Sequence, residues 1–371
     1  MNKLRKFFEG KRVLVTGHTG FKGSWLSIWL LELGANVIGY SSGVPTKPSN
    51  FEACLLKSRV KHIKGDIKNI VTLKKAFKDH SPQVVFHLAA QPIVRLSYEK
   101  PQETFLTNIA GTVNVLECLR EFSFVKSAVI ITSDKCYKNR EWYWGYREDD
   151  EMGGNDPYSA SKGAAELVFH SYCESFFKSK GDICKVASAR AGNVIGGGDW
   201  AVDRIIPDCV NAFSKGKTLS IRNHMATRPW QHVLESLSGY LWLASQLTTD
   251  IENINCNPFN FGPDQKVVES VKDLITTFRK YFGKGKYKYQ KDMKGIKESL
   301  SLKLSCDKAL KILKWHSVLS FKQTVKMTAD WYKHFYENKK VDMFQFTKNQ
   351  IQEYVFDAQK EGLEWAKGES R

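Results

Sequence analysis

Val13-Leu14-Val15-Thr16-Gly17-His18-Thr19-Gly20-Phe21-Lys22-Gly23 is the stretch from which the fold can be read. Its apolar start makes a short buried strand, its glycines at a spacing of three make a tight turn, and the run Ser24 to Leu33, stopped by Gly34, makes a helix. Ala35 to Tyr40 is then the second strand of a βαβ unit. Glycines so spaced let the main chain approach a pyrophosphate closely, and the following helix turns its amides and positive end toward that charge. A glycine triplet alone carries little; between a strand and a helix it points to a dinucleotide site.

The chain on either side repeats the pattern. Val60 to Lys64 leads into Gly65-Asp66-Ile67, where Asp66 could reach an adenine amino group. Val84 to Gln91 is a buried strand that runs out through Leu88-Ala89-Ala90, residues small enough for a cofactor to lie against, and Pro101 to Phe122 reads as one long helix containing Asn108. Ala128 to Ile131 is a further apolar strand that ends in the polar run Thr132-Ser133-Asp134-Lys135. Strands alternating with helices in this way give an α/β fold with a doubly wound parallel sheet. Ligands bind such sheets at the carboxyl ends of the strands, where these polar residues fall.

Asn155-Asp156-Pro157-Tyr158-Ser159-Ala160-Ser161-Lys162 opens another helix, with Asp156 placed to cap it and Pro157 suited to its first turn. Tyr158 and Lys162 are four apart and share a helical face. A lysine cation beside a tyrosine hydroxyl favours the phenolate and would bring the tyrosine down from ~10 toward neutrality, making a base for an alcohol proton. Such a pair recurs on many helices; with a glycine-rich βαβ and a polar strand end upstream it points to catalysis.

At 371 residues and 42% hydrophobic, the chain can bury a large core, as one α/β unit or two intergrown domains. Its basic amino terminus leads straight into a strand and a turn, and no run approaches ~18 apolar residues, so neither export nor membrane spanning is expected. Eight cysteines are scattered without CxxC or Cys/His ligand spacing, which suits reduced structural thiols in a cytoplasmic chain and no metal site. The formal charge of +17 is spread along the sequence, including the lysines from Lys280 to Lys303. It forms no aromatic-interleaved stripe of the kind that tracks a nucleic acid, and a positive field of this sort also draws in anionic nucleotides.

Four segments, Thr16 to Gly23, the Tyr158/Lys162 pair, Arg190-Ala191-Gly192-Asn193-Val194 and Trp315 to Tyr332, resemble the extended short-chain dehydrogenase/reductase family over nearly the whole chain. Within it, Gly17 to Leu26, Thr132 to Tyr137, Asn193 to Trp200 and Ala226 to Glu235 are most similar to nucleotide-sugar 4,6-dehydratases. The resemblance implies a Rossmann-type domain over residues 1–188, to which about 226–262 return, a smaller intergrown domain over 189–340 for the nucleotide sugar, and a helical tail over 341–371. It implies NAD as cofactor, held by Gly17, Thr19, Gly20, Phe21, Lys22, Gly23, Ser41, Asp66, Ile67, Leu88, Ala89, Ala90, Asn108, Thr132, Tyr158 and Lys162. The acid that usually ends the second strand is absent, because that place reads Tyr40-Ser41-Ser42-Gly43, and no arginine stands beside it for the extra phosphate of NADP.

The implied substrate is CDP-glucose or another nucleotide sugar, gripped by Gln91, Arg95, Ser133, Asn193, Arg204 and Arg228, with Arg190 also near the diphosphate. Planar guanidinium groups suit bidentate phosphate contact. Trp200, Trp230, Phe259 and Phe261 are expected in the core rather than against a base. In the implied reaction Tyr158 takes the 4-hydroxyl proton as hydride leaves for NAD, the new ketone acidifies C5, water is lost across C5 and C6, and the hydride returns to C6. Ser133 would bond the 4-oxygen, Lys162 the nicotinamide ribose, and Asp134 would protonate the leaving 6-hydroxyl.

Where dTDP-glucose and GDP-mannose dehydratases carry Asp-Glu, this chain has Asp134-Lys135. Making Lys135 a base at neutral pH means lowering it by about three units, roughly 4 kcal/mol, so it is either the C5 base or an electrostatic support for the enolate. An epimerase or reductase of the family would share Tyr158 and Lys162 without needing an acid and a base at 134 and 135. A dinucleotide-binding regulatory protein would need no activated tyrosine at all. The helices near 103–122 and 158–178 commonly pair in this family, so a homodimer, with a tetramer as the next assembly, is the expected state in the synthesis of surface deoxysugars.

Overall fold

The computed structural model describes residues 2–178, 184–221, 223–249, 252–264, 268–290, 302–337 and 342–368. Part of the lysine run before Lys303 and the end of the C-terminal tail lie outside them. In chain order the first half contains α1 (Lys3–Phe8), β1 (Arg12–Thr16), α2 (Phe21–Glu32), β2 (Asn36–Ser41), α3 (Asn50–Ala53), β3 (Lys61–Lys64), α4 (Ile70–His80), β4 (Val84–His87), α5 (Val94–Glu99), α6 (Pro101–Phe105), α7 (Gly111–Glu121), β5 (Ser127–Ile131) and α8 (Pro157–Tyr172). The second half contains β6 (Lys185–Arg190), β7 (Val194–Ile195), α9 (Ile205–Ser214), β8 (Thr218–Ile221), β9 (Thr227–Arg228), β10 (Gln231–His232), α10 (Val233–Gln246), β11 (Pro258–Asn260), β12 (Glu269–Ser270), α11 (Val271–Phe282), β13 (Lys286–Tyr289), α12 (Phe321–Glu337) and α13 (Met343–Lys360).

Seven strands form one parallel sheet in the order β11-β6-β5-β4-β1-β2-β3. Val13, Leu14 and Val15 are fully buried, as are Val85, Phe86 and Ala128 to Ile130, because a sheet covered by helices on both faces hides both sides of each strand. Strand order reverses between β1 and β4, so the glycine turn after β1 and the loop after β4 lie at the switch point where such sheets open a crevice. The expected long helix is present as α6 and α7 joined by a π-helical turn, Leu106–Ala110, which carries Asn108. Single π turns often mark functional positions.

The chain returns to the sheet late. β11 pairs with β6 at its edge, and α10 is buried along almost its whole length. The expected charged tail buries one face: Ile351, Tyr354 and Trp365 are buried, the last two rings stack on each other, and Trp29 of α2 meets both edge-on. Tyr354 donates to buried Glu235 at 2.7 Å, and burial raises that carboxyl to about 7. This helix therefore closes the core behind α2. All eight cysteines are free thiols, and no helix among the described residues is long and apolar enough to cross a membrane.

Candidate active site

The glycine turn is as tight as its spacing requires. Gly17 has φ +74°, and a Cβ there would stand 2.8 Å from the amide nitrogen of Ala89; one on Gly23 would meet the Gly17 carbonyl oxygen at 2.2 Å. No other residue fits at either place. Thr19 Oγ1 donates to the Gly43 carbonyl at 2.6 Å, closing the turn over the end of β2. Ser41 there is bonded to His18 Nδ1 at 3.1 Å, and His18 Nε2 lies 2.7 Å from His62 Nδ1. Burial, then the neighbouring His62, lowers His18 to about 4, so it is neutral at pH 7.

Across the crevice, the Ala89 amide donates to Thr16 Oγ1 at 3.2 Å, which holds the Leu88-Ala89-Ala90 loop against β1. Asn108 Oδ1 accepts from the Gln91 amide at 2.8 Å and its Nδ2 donates to Ser161 Oγ at 2.8 Å. Gln91 spends its own side chain locally, on the Ile93 carbonyl and amide and on Thr104. Asp66 accepts from the Lys68 amide at 2.9 Å, while Ile67 is buried and its carbonyl receives Asn114.

The second cluster lies at the carboxyl end of β5. Asp156 caps α8 through the Ser159 amide at 2.9 Å, with Pro157 at its first position as expected, and this fixes the helix that carries Tyr158 and Lys162. Ser133 donates to Asp134 Oδ1 at 2.9 Å and accepts from the Lys135 amide at 3.2 Å. Asp134 is 3% exposed and packs so closely on Gly192 that a Cβ there would fall 1.8 Å from its Oδ2. Asn193 Nδ2 is 3.5 Å from the same oxygen. Lys135 is partly exposed.

Electrostatics at this end differ from the sequence expectation. Burial pushes Tyr158 up to about 12; the nearby Ser133 hydroxyl and the charge of Arg204 oppose it, and Asp134 adds to it. Lys162 is itself lowered to about 8 by burial, against the pull of Glu166. Desolvation thus outweighs the chain's own cations at the tyrosine. Lys22 is lowered to about 7, first by burial, with Asp134 raising it and Arg204 and Lys162 lowering it, and its Nζ is 3.4 Å from Tyr240 Oη.

The arginines divide. Arg190, expected near the diphosphate, is closed off: it is 2% exposed and bonded to Glu166, Tyr137 and the Glu148 carbonyl. Arg204 pairs with Asp199 at 2.8 Å and Arg95 with Asp203 at 2.9 Å. Arg228 donates to its neighbour Thr227's carbonyl at 2.8 Å in the β9–β12 pair. Trp200 packs on Trp331, Tyr332 and Phe335, and Trp230, Phe259 and Phe261 are buried, as expected of core residues. Thr132 turns away from the crevice to Glu166. Sequence reading passed over Glu166, one turn beyond Lys162, and Asp199, directly after three glycines; the helical spacing gave a signal for the first. Tyr240 left none, because it is 218 positions from Lys22.

A family model, GDP-mannose 4,6 dehydratase, matches residues 14–328. The chain belongs to this family. Among dehydratases, it is 46% identical over 357 residues to the CDP-glucose 4,6-dehydratase of Salmonella typhimurium, covering 95% of this chain and 98% of that one. It is 25% identical over 344 residues to the human dTDP-D-glucose 4,6-dehydratase, covering 89% and 92%. A crystal structure of UDP-glucuronic acid 4-epimerase from Bacillus cereus, in complex with UDP-glucuronic acid and NAD, matches the fold with a TM-score of 0.74 at 25% identity, covering 87% of this chain and 99% of that one.

Proposed function

We propose that this member of the dehydratase family converts CDP-D-glucose to CDP-4-keto-6-deoxy-D-glucose. The observation that carries the reading is the gathering of Ser133, Asp134, Tyr158 and Lys162 at one strand end, beside an Asp134-Lys135 pair for which an epimerase has no use. The 46% identity to a CDP-glucose 4,6-dehydratase supports the cytidine sugar as substrate.

The crevice fits a dinucleotide: Gly17 and Gly23 let the turn close on its own main chain and on that of Ala89, and α2 begins there with its amides toward the turn. Gly17, Thr19, Gly20, Phe21, Lys22, Gly23, Ser41, Asp66, Ile67 and Leu88 to Ala90 would hold NAD, with Asn108 and Thr132 supporting them and Lys162 reaching the nicotinamide ribose. NAD, when bound, accepts the C4 hydrogen as hydride and gives it back at C6. Tyr158 takes the 4-hydroxyl proton while Ser133 bonds the same oxygen. Once C4 is a ketone, the C5 hydrogen is acidic; Lys135 removes it as a proton, Asp134 gives a proton to the departing 6-hydroxyl, and Lys135 returns its proton to C5 when C6 is reduced. Gln91, Arg95, Asn193, Arg204 and Arg228 line the sugar-nucleotide side. In this division residues 1–188 with about 226–262 serve the dinucleotide and 189–340 mainly the sugar nucleotide.

A homodimer in the cytoplasm is part of the same reading, supported by Leu106 and Leu167, which stand 47% and 61% exposed on the two helical segments expected to pair. Incubation with CDP-, dTDP-, UDP- and GDP-sugars followed by mass spectrometry tests the function. Loss of one water from the CDP-glucose sample is expected. A change of two hydrogens, or none with any of the four, rejects the dehydratase reading.

A further inference from the structure

The sealed pair of Arg190 and Glu166 reaches further than its own two side chains. Glu166 Oε2 accepts from Arg190 Nη2 at 2.8 Å and from Ser188 Oγ at 2.9 Å, and its Oε1 accepts from Thr132 Oγ1. Arg190 Nη1 donates to Tyr137 Oη at 2.7 Å, with the guanidinium 5.0 Å from the centre of that ring, and Tyr137 donates onward to Asn260 Oδ1 at 2.8 Å. Thr132 directly precedes the run Ser133-Asp134-Lys135-Cys136, and Tyr137 directly follows it. One buried ion pair therefore holds both ends of the turn that carries Ser133, Asp134 and Lys135.

The same pair fixes that turn against the helix beside it. Glu166 stands one turn beyond Lys162 on α8, and Lys162 one turn beyond Tyr158, so the three share a face. Gly163 brings α8 close to the turn: a Cβ there would stand 3.2 Å from the Cys136 carbonyl oxygen, which accepts from the Gly153 amide at 2.9 Å. From the end of β6 the Ala189 carbonyl accepts from the Thr132 amide at 2.9 Å, and Gly192 packs on Asp134. These anchors come from α8 and the end of β6, the two elements that the ion pair joins. A buried pair adds little stability over apolar side chains of the same volume. It supplies direction instead, because a planar guanidinium and a carboxylate fix the angles of their hydrogen bonds.

We propose that Glu166 and Arg190 are positioning residues for the reaction: through Thr132 and Tyr137 they set the turn over 133–136 at its spacing from Tyr158 and Lys162. The pair is closed to ligands and acts on chemistry only through the residues it holds. Its effect on turnover rests on the dehydratase reading; its hold on the turn does not.

The test cuts the outer bonds and leaves the buried charges paired, so that the chain still folds. Thr132→Val and Tyr137→Phe each remove one hydroxyl and keep the shape of the side chain; Thr132→Ser keeps the hydroxyl. Amide hydrogen exchange on the free protein needs no substrate. In the double variant Thr132→Val/Tyr137→Phe the amides of 133–136 should exchange about tenfold faster, while those of β1 and β4 exchange as in wild type. With CDP-glucose the double variant should lose about tenfold in kcat with KM nearly unchanged, because the turn is misplaced and the grip on substrate is not. Thr132→Ser should match wild type in both measurements. Unchanged exchange at 133–136 overturns the proposal, whether kcat holds or falls, since a fall would then mean that Thr132 acts directly on the cofactor. Faster exchange spread evenly over the sheet, or a loosened turn with wild-type kcat, also overturns it. Absence of turnover by the wild-type protein with every nucleotide sugar defeats the dehydratase reading, and the exchange measurement still decides whether the pair holds the turn.

Discussion

Arg190–Glu166 and Arg204–Asp199 are two arginine–carboxylate pairs of the same length, 2.8 Å, in neighbouring parts of one chain, and they are put to opposite uses. The first is sealed, with side chains 2% and 1% exposed, and ties α8 to β5 and β6 through Thr132 and Ser188. The second opens on the crevice and shares its field with Tyr158 and Lys22. Partners, not residue type, separate these two arginines: Arg190 is enclosed by Glu166, Tyr137 and the Glu148 carbonyl, whereas Arg204 keeps an open side beyond its carboxylate.

Removing one partner of the sealed pair should have the largest effect. Arg190→Met leaves Glu166 buried beside Lys162 without its main counter-charge, and losses of about 3–5 kcal/mol are usual for such a break. Urea unfolding should show it as a lower midpoint, and Glu166→Gln added to Arg190→Met should recover part of the loss. If Arg190→Met unfolds at the wild-type midpoint, the pair is not the framework described.

The glycine turn gives the next effect through pH. His18 is buried with its ring nitrogens committed to Ser41 and His62, and burial lowers it to about 4. A depressed histidine adds stability above its unfolded pKa of ~6.5 and loses it as pH falls through the folded value, roughly 3 kcal/mol over that interval. Stability measured from pH 7 down to pH 4 should therefore fall, and His18→Asn should flatten the slope. His87, bonded to Thr16 and Thr112 and lowered by burial to about 3, acts in the same direction.

Lys135 belongs to the open side. Lys135→Ala should retain hydride removal from C4 but lose exchange of the C5 hydrogen with solvent deuterium, and dehydration should fall by about 10². Unchanged dehydration in that variant removes Lys135 from the role of base. Stability should move little, because its side chain is partly exposed and outside the sealed network.

What could be read in the sequence follows the range of each interaction. The turn from Gly17 to Gly23, the cap by Asp156 and the one-turn spacing of Tyr158 and Lys162 are local, and local geometry is written in spacing. Arg190 looked like a phosphate ligand because its partner Glu166 lies 24 positions away, and spacing does not say which charges the fold will enclose together. The tail looked peripheral for the same reason, since Tyr354 meets Glu235 across 119 positions. The Tyr158 expectation differed in sign because a sequence shows the neighbouring lysine and not the burial, which here is the larger effect.

The smallest stability change is expected where the effect on catalysis is of most interest. The Asp199–Arg204 pair is about one-third exposed on its arginine side, and partly exposed pairs contribute about 0–1 kcal/mol after screening. Arg204→Met should therefore unfold within about 1 kcal/mol of wild type while its turnover of CDP-glucose drops. Asp199 would remain held by Tyr332 and Ala201, so its loop has no reason to open when the arginine is cut back. The contrast with Arg190→Met is then complete in one pair of measurements: equal bond lengths, unequal costs in folding, and the larger cost on the side where the charge has nowhere to turn. An Arg204→Met variant that loses as much stability as Arg190→Met would place both arginines in the framework and remove the distinction.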